Sequence, residues 1–237
     1  GFEVTRQELM FVPGVVKGIG YAVNFFSKKG DKIVIQPPVY HPFRRVIEGN
    51  GRRVLANNLV YTEGKGYEMN LDELRRLCRE HRPAMMILCN PHNPIGIQWP
   101  QETLREVGEI CREYGVTVVS DEIHGDLVLH GKPHYPFAAC SDACAEVAVT
   151  FGAPSKTFNI PGLVSSWCVI KNPALRKDFY EWMEVNEFSA PTFVSTIGAE
   201  AAYRNGSRWL AEAMTYIEGN IDMVRTYLRD NLPQVGM

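Results

Sequence analysis

Four short apolar runs in the 237-residue sequence each lead into residues able to do chemistry. Lys32–Gln36 leads into Pro37-Pro38-Val39-Tyr40, and Ala84–Cys89 into Asn90-Pro91-His92-Asn93-Pro94-Ile95-Gly96. Val116–Ser120 leads into Asp121-Glu122-Ile123-His124, and Val147–Phe151 into Ala153-Pro154-Ser155-Lys156-Thr157-Phe158-Asn159. If the four runs are strands of one parallel sheet, their carboxyl ends share an edge, and that edge is where open α/β sheets bind ligands. A lysine, a carboxylate, an amide and an aromatic ring then surround a single crevice. A lysine in such a place can condense with a carbonyl compound once its pKa is depressed. A carboxylate beside it can hold a protonated ring nitrogen, and an aromatic side chain can stack on the ring.

Pyridoxal 5'-phosphate (PLP) requires this set. Its aldehyde needs an amine, its pyridine nitrogen needs a carboxylate to stay protonated, and the protonated ring then serves as an electron sink for a carbanion. Its phenolic oxygen needs a donor. Its phosphate needs backbone N–H groups, best supplied at a helix N-terminus.

The elements that position these residues are legible as period and composition. Strands are predicted at Lys32–Gln36, Arg53–Ala56, Ala84–Cys89, Val116–Ser120, Val147–Phe151 and Val164–Ile170. Helices are predicted at Gly14–Ser27, Pro42–Asn50, Leu71–Glu80, Gln101–Tyr114, Pro173–Val185, Ser195–Asn205 and Arg208–Asn231. Met85-Met86-Ile87-Leu88 is continuously apolar, as a strand covered on both faces must be. Alternating strands and helices predict an α/β three-layer sandwich around a mostly parallel central sheet. Asn70 and Glu73 have the spacing of a capping box at the start of the third helix.

Composition narrows the function classes. The chain is 45% hydrophobic and 22% charged, with a net charge of −2. This is ordinary globular usage, with no demand for nucleic acid or an anionic membrane. No apolar run approaches the ~20 residues needed to cross a bilayer, and no signal peptide is evident. The six cysteines form no C-x-x-C pair, so reduced thiols in a cytoplasmic protein and no metal site are expected. The Gly14–Gly20 segment does not follow the G-x-G-x-x-G spacing of a dinucleotide site. The chain opens at Gly1 in what reads as mid-fold and stops at Met237 after a long helical pattern, which suggests a piece of a longer protein.

The motif from Asn90 to Gly96, the Asp121-Glu122 step and Ser155-Lys156-Thr157-Phe158-Asn159 resemble the fold-type I PLP enzymes, which include the class I and II aminotransferases. Gln36–Tyr40, Asp121–His124 and Ala201–Gly206 narrow the likeness to the MalY/PatB-type cystathionine β-lyase (C–S lyase) branch. The resemblance runs over nearly the whole chain and implies a PLP-binding large domain at 1–237, with the family's N-terminal segment and C-terminal small domain lying outside it. It implies Lys156 as the Schiff-base lysine, Asp121 as the pyridinium partner, Asn93 as the amide near the phenolic oxygen and Tyr40 as the stacking ring. Val15 and Val16 match the phosphate-cradling turn through their backbone, and Ser155 offers a phosphate hydroxyl. His124 fits a cofactor contact and a structural hydrogen bond equally well, because many relatives have tyrosine there. The position where aminotransferases commonly place a phosphate-holding arginine is Val164, a departure that favours the C–S lyase branch.

Simpler readings stand beside these. Asp121 could cap a helix, Asn93 could serve a turn and Tyr40 could be core. Glu122 reads as structural, the histidines other than His124 as turn or surface groups, and Phe25, Phe26, Trp182 and Trp209 as core. The implied activity is β-elimination from cystathionine or a related cysteine conjugate, giving a thiol, pyruvate and ammonia. An aminotransferase is the alternative, and a regulatory protein of the same fold that binds a transcription factor is the second. A small amino-acid substrate and a homodimer are the implied partners.

Overall fold

The computed structural model describes residues 2–235; Gly1 and Met237, the ends of the expected domain, lie outside the described residues. The strands are β1 (Leu9–Val12), β2 (Lys32–Ile35), β3 (Arg53–Ala56), β4 (Val60–Thr62), β5 (Gly66–Glu68), β6 (Met85–Cys89), β7 (Thr117–Asp121), β8 (Ala148–Gly152) and β9 (Ser166–Val169). The helices are α1 (Val15–Phe26), α2 (Pro42–Gly49), α3 (Leu71–His81), α4 (Gln101–Tyr114), α5 (Asp142–Val147), α6 (Pro154–Thr157), α7 (Pro173–Val185), α8 (Phe193–Asn205) and α9 (Ser207–Asn231).

Seven strands form one sheet in the order β1-β9-β8-β7-β6-β2-β3. The run β3-β2-β6-β7-β8 is parallel, and β9 and β1 join it through antiparallel pairs. Alternate residues of each strand feed opposite faces. Met85, Ile87 and Cys89 join Val15, Ile19, Phe43 and Phe179 in a core under α1, α2 and α7. Met86 and Leu88 join Leu74, Leu104, Val107 and Cys144 in a second core under α3, α4 and α5. The expected three-layer sandwich is therefore present, with β6 to β8 buried on both sides. Among the described residues no helix is long and apolar enough to cross a membrane.

Local chemistry sets the boundaries. The Asn70 side chain accepts from the Glu73 N–H at 3.0 Å and starts α3. The reciprocal half of the expected capping box is absent, because the Glu73 carboxylate turns to Arg76 instead. Gly115 ends α4 at φ 69°, a left-handed position that glycine adopts without cost.

Five elements escape the sequence reading, the short helix α6 (Pro154–Thr157) among them. β1 is a four-residue edge strand whose register pairs Leu9 with Val169, so only a distant segment defines it. The β4–β5 hairpin pairs Tyr61 with Tyr67 away from the main sheet. The short α5 packs its Cys144 against Gly108 of α4. In addition, the predicted strand over Val164–Ile170 begins only at Ser166, because Val164 takes a left-handed φ of 48° after a 3-10 turn.

Candidate active site

Register brings the strand ends together. Cys89 pairs with Asp121, and Asp121 pairs with Phe151, so the carboxylate stands at the end of the central strand of the three. Pro154 opens the short helix α6 two residues beyond β8, and Lys156 projects from it. On the facing layer α1 starts at Gly14, whose φ is 129° and which supplies no side-chain cap. α1 can approach the sheet this closely because Gly18 has no Cβ. A Cβ there would stand 2.6 Å from the buried Phe151 ring. The uncapped first-turn N–H groups of α1 thus face the strand ends, where a helix N-terminus favours an anion.

Between these elements lies a cavity of about 340 Å³. Its walls are Pro13, Gly14, Val15, Val16, Lys17, Tyr40, Cys89, Asn93, Asp121, Ile123, His124 and Lys156. The chain thus brings Val15, Val16, Tyr40, Asn93, Asp121, His124 and Lys156 around one space. Ser155 is not among the residues that line this space.

The electrostatics single out Asp121. It is 4% exposed, and its one hydrogen bond among the described residues is accepted by Oδ1 from the Ile123 N–H at 3.2 Å. Burial pushes its carboxyl up to about 7, against the lowering effect of that hydrogen bond and with a further small rise from Glu122. A buried carboxylate with no cation beside it favours a ligand that brings one. The Asn93 side-chain amide likewise has no hydrogen-bond partner among the described residues, while its backbone N–H donates to Cys89 Sγ at 3.3 Å. Burial lowers the His124 pKa, and the Lys156 cation lowers it further. His124 therefore stands in the wall as a neutral imidazole at neutral pH.

The sequence profile of the family described as aminotransferase class I and II matches residues 1–236. The chain belongs to that family. It is 43% identical over 237 residues to cystathionine beta-lyase PatB of Bacillus subtilis (strain 168), covering all of this chain and 61% of the relative. Cystalysin from Treponema denticola, solved with a pyridoxal 5'-phosphate cofactor, superposes with a TM-score of 0.93 at 30% identity. That match covers 98% of this chain and 59% of cystalysin. The PLP-bound C–S lyase from Staphylococcus hominis gives a TM-score of 0.91 at 32% identity, over 98% and 58% of the two chains. The chain thus spans about three fifths of the length of these class I and II relatives.

Within this family member, Glu122 is structural, as the sequence suggests. Its Oε1 accepts from Ser120 Oγ and from the Phe137 N–H, both at 2.8 Å, and its Oε2 lies 2.9 Å from His134 Nε2. Glu122→Ala leaves a buried hydroxyl and a buried N–H unpaired. A loss of about 2–4 kcal/mol is expected, to be read as a lowered urea midpoint with unchanged slope.

Two histidines correct the turn-or-surface reading. His134 belongs to that Glu122 network, and His92 is 1% exposed with Nε2 2.9 Å from the Pro38 carbonyl oxygen. Both follow turn residues, so composition suggests exposure, whereas packing buries His92 and leaves His134 partly buried. Phe25, Phe26 and Trp182 do pack on the core. Trp209 does not; it is 46% exposed on α9.

Sequence reasoning missed Cys89 and Asp126 at the site and set Lys17 aside. Cys89 reads as one of several buried thiols, yet it forms a wall of the cavity. Lys17 also lines the cavity, whereas in the sequence its place in the first turn of a helix argues against a phosphate contact. Asp126 Oδ2 accepts from Thr157 Oγ1 at 2.9 Å, which ties the loop carrying His124 to the helix carrying Lys156. Only the spacing D-E-I-H-G-D places Asp126 near the motif.

Proposed function

We propose that this chain forms the cofactor-binding part of a PLP-dependent C–S β-lyase that releases a thiol, pyruvate and ammonia from cystathionine or a related cysteine conjugate. The observation that carries the reading is the buried Asp121 carboxylate facing Lys156 across a cavity with a helix N-terminus in its wall, in a chain 43% identical to a cystathionine beta-lyase. PLP, when bound, supplies a protonated ring that stabilises negative charge at the substrate α-carbon.

The side chains divide the remaining work. Lys156 Nζ holds the cofactor covalently. Its free amine would take the α-proton of the substrate as general base. Asp121 keeps the ring nitrogen protonated through a charge-assisted hydrogen bond, and the partner cation in turn restores its own ionised form. Asn93 donates to the phenolic oxygen beside a neutral His124. Tyr40 packs on the ring. The N–H groups of Val15 and Val16 and the Lys17 ammonium receive the phosphate, in a protein with Val164 where aminotransferases place an arginine.

A homodimer and a cytoplasmic location belong to the same reading. Large apolar side chains stand exposed on α8 and α9, among them Phe193 at 80% and Tyr216 at 72%, a surface suited to cover by further protein. The six free, buried cysteines fit a reducing compartment.

The deciding experiment incubates the protein, as its own gene encodes it, with cystathionine. Pyruvate and thiol are measured beside transamination in the presence of a keto acid. Pyruvate and thiol release without a keto acid is expected; keto-acid-dependent transfer alone would assign an aminotransferase.

A further inference from the structure

A second cavity, of about 550 Å³, adjoins the first. The two share Asn93 and His124 as walls, so the second space lies directly beside the one that Lys156 faces. Its far side has a consistent chemistry. Lys132, His130 and Arg225 line it, and no aspartate or glutamate does. Lys132 has no carboxylate partner among the described residues. Arg225 pairs with Asp222 through Nη1 alone at 3.0 Å, leaving other guanidinium N–H groups free to bind. Glu218 accepts from the His130 backbone N–H, and its carboxylate lies 4.0 Å from His130 Nδ1. In the same wall the Gln98 side-chain nitrogen is buried without a hydrogen-bond partner, a donor that a carboxylate oxygen satisfies.

We infer that this second cavity is the subsite for the leaving half of the substrate, and that it selects cysteine S-conjugates whose sulfur substituent ends in a carboxylate. The inference rests on the lyase reading and deepens it. The reacting amino acid occupies the first cavity, the C–S bond lies near Asn93 and His124, and the departing thiol carries its anionic end toward Lys132, Arg225 and Gln98. Cystathionine has such an end; a plain S-alkyl cysteine does not.

The test compares S-(2-carboxyethyl)-L-cysteine with the uncharged S-propyl-L-cysteine, in wild type and in the Lys132→Gln/Arg225→Gln double variant. The protein is the form that its gene encodes, loaded with PLP. Wild type is expected to favour the carboxylate conjugate about tenfold in kcat/KM, mainly through KM, as two partly exposed ion pairs and one amide contact allow. In the double variant the ratio is expected to fall toward one. No preference in wild type, or a preference that survives in the double variant, overturns the subsite. If neither conjugate yields pyruvate, the lyase reading fails by itself. Calorimetric binding of the same two compounds then decides the subsite, with the same tenfold difference in Kd and the same loss in the double variant expected. Equal Kd values in wild type would overturn it.

Discussion

Lys156→Ala is expected to lower turnover by about 10²–10⁴-fold and to abolish covalent retention of PLP. The reason is positional. Lys156 is the only lysine besides Lys17 in the wall of the first cavity, and the two differ in what holds them. Lys156 sits on a short helix that Thr157 ties to Asp126, at the end of a strand paired to the one carrying Asp121. Lys17 projects from the first turn of α1, where the proposed reading gives it the phosphate. Reduction of the holoenzyme with borohydride, followed by peptide mapping, is expected to place all label on Lys156. Label on Lys17, or a Lys156→Ala protein that keeps its visible cofactor absorbance and wild-type turnover, would falsify the assignment.

Asp121→Asn is expected to act in opposite directions on stability and on catalysis. In the cofactor-free protein, burial raises the Asp121 carboxyl from 3.8 to about 7. Below pH 4 both folded and unfolded chains hold the proton, and the group leaves stability unchanged. Between pH 4 and 7 the unfolded chain has released its proton while the folded chain keeps it, so stability falls as pH rises. Above pH 7 the full cost is in place, up to about 4 kcal/mol. Asn keeps the volume without the charge. The cofactor-free variant is therefore expected to match wild type near pH 4 and to exceed it at pH 8 in chemical denaturation.

With PLP bound, the comparison reverses. The ring nitrogen supplies the cation that Asp121 lacks, and loss of a charge placed where the reaction needs it lowers kcat by roughly 10²–10³-fold. A variant with wild-type turnover, or one whose cofactor-free stability follows pH as wild type does, would remove Asp121 from this role.

The sequence by itself determined the layered architecture and which residues meet at the ends of the strands. Continuous apolar runs such as Met85–Cys89 can be stable only when covered on both sides, and a 3.6-residue period fixes helices such as Gln101–Tyr114 to the residue. Once the sheet is parallel, the residues after each run must share an edge. For that reason Tyr40, Asn93, Asp121, His124 and Lys156 could be placed together without coordinates. Tertiary structure decided what depends on distant partners. β1 exists through its pairing with β9. His92 is buried against Pro38, far along the chain, and Trp209 is left on the surface. Lys17 lines the cavity and Ser155 does not, which the order of residues along the chain does not decide. The raised carboxyl of Asp121 is the clearest case. Its spacing in the chain marks it as a candidate, but its pKa follows from desolvation between β6 and β8 without a nearby cation, a property of packing that local sequence does not encode.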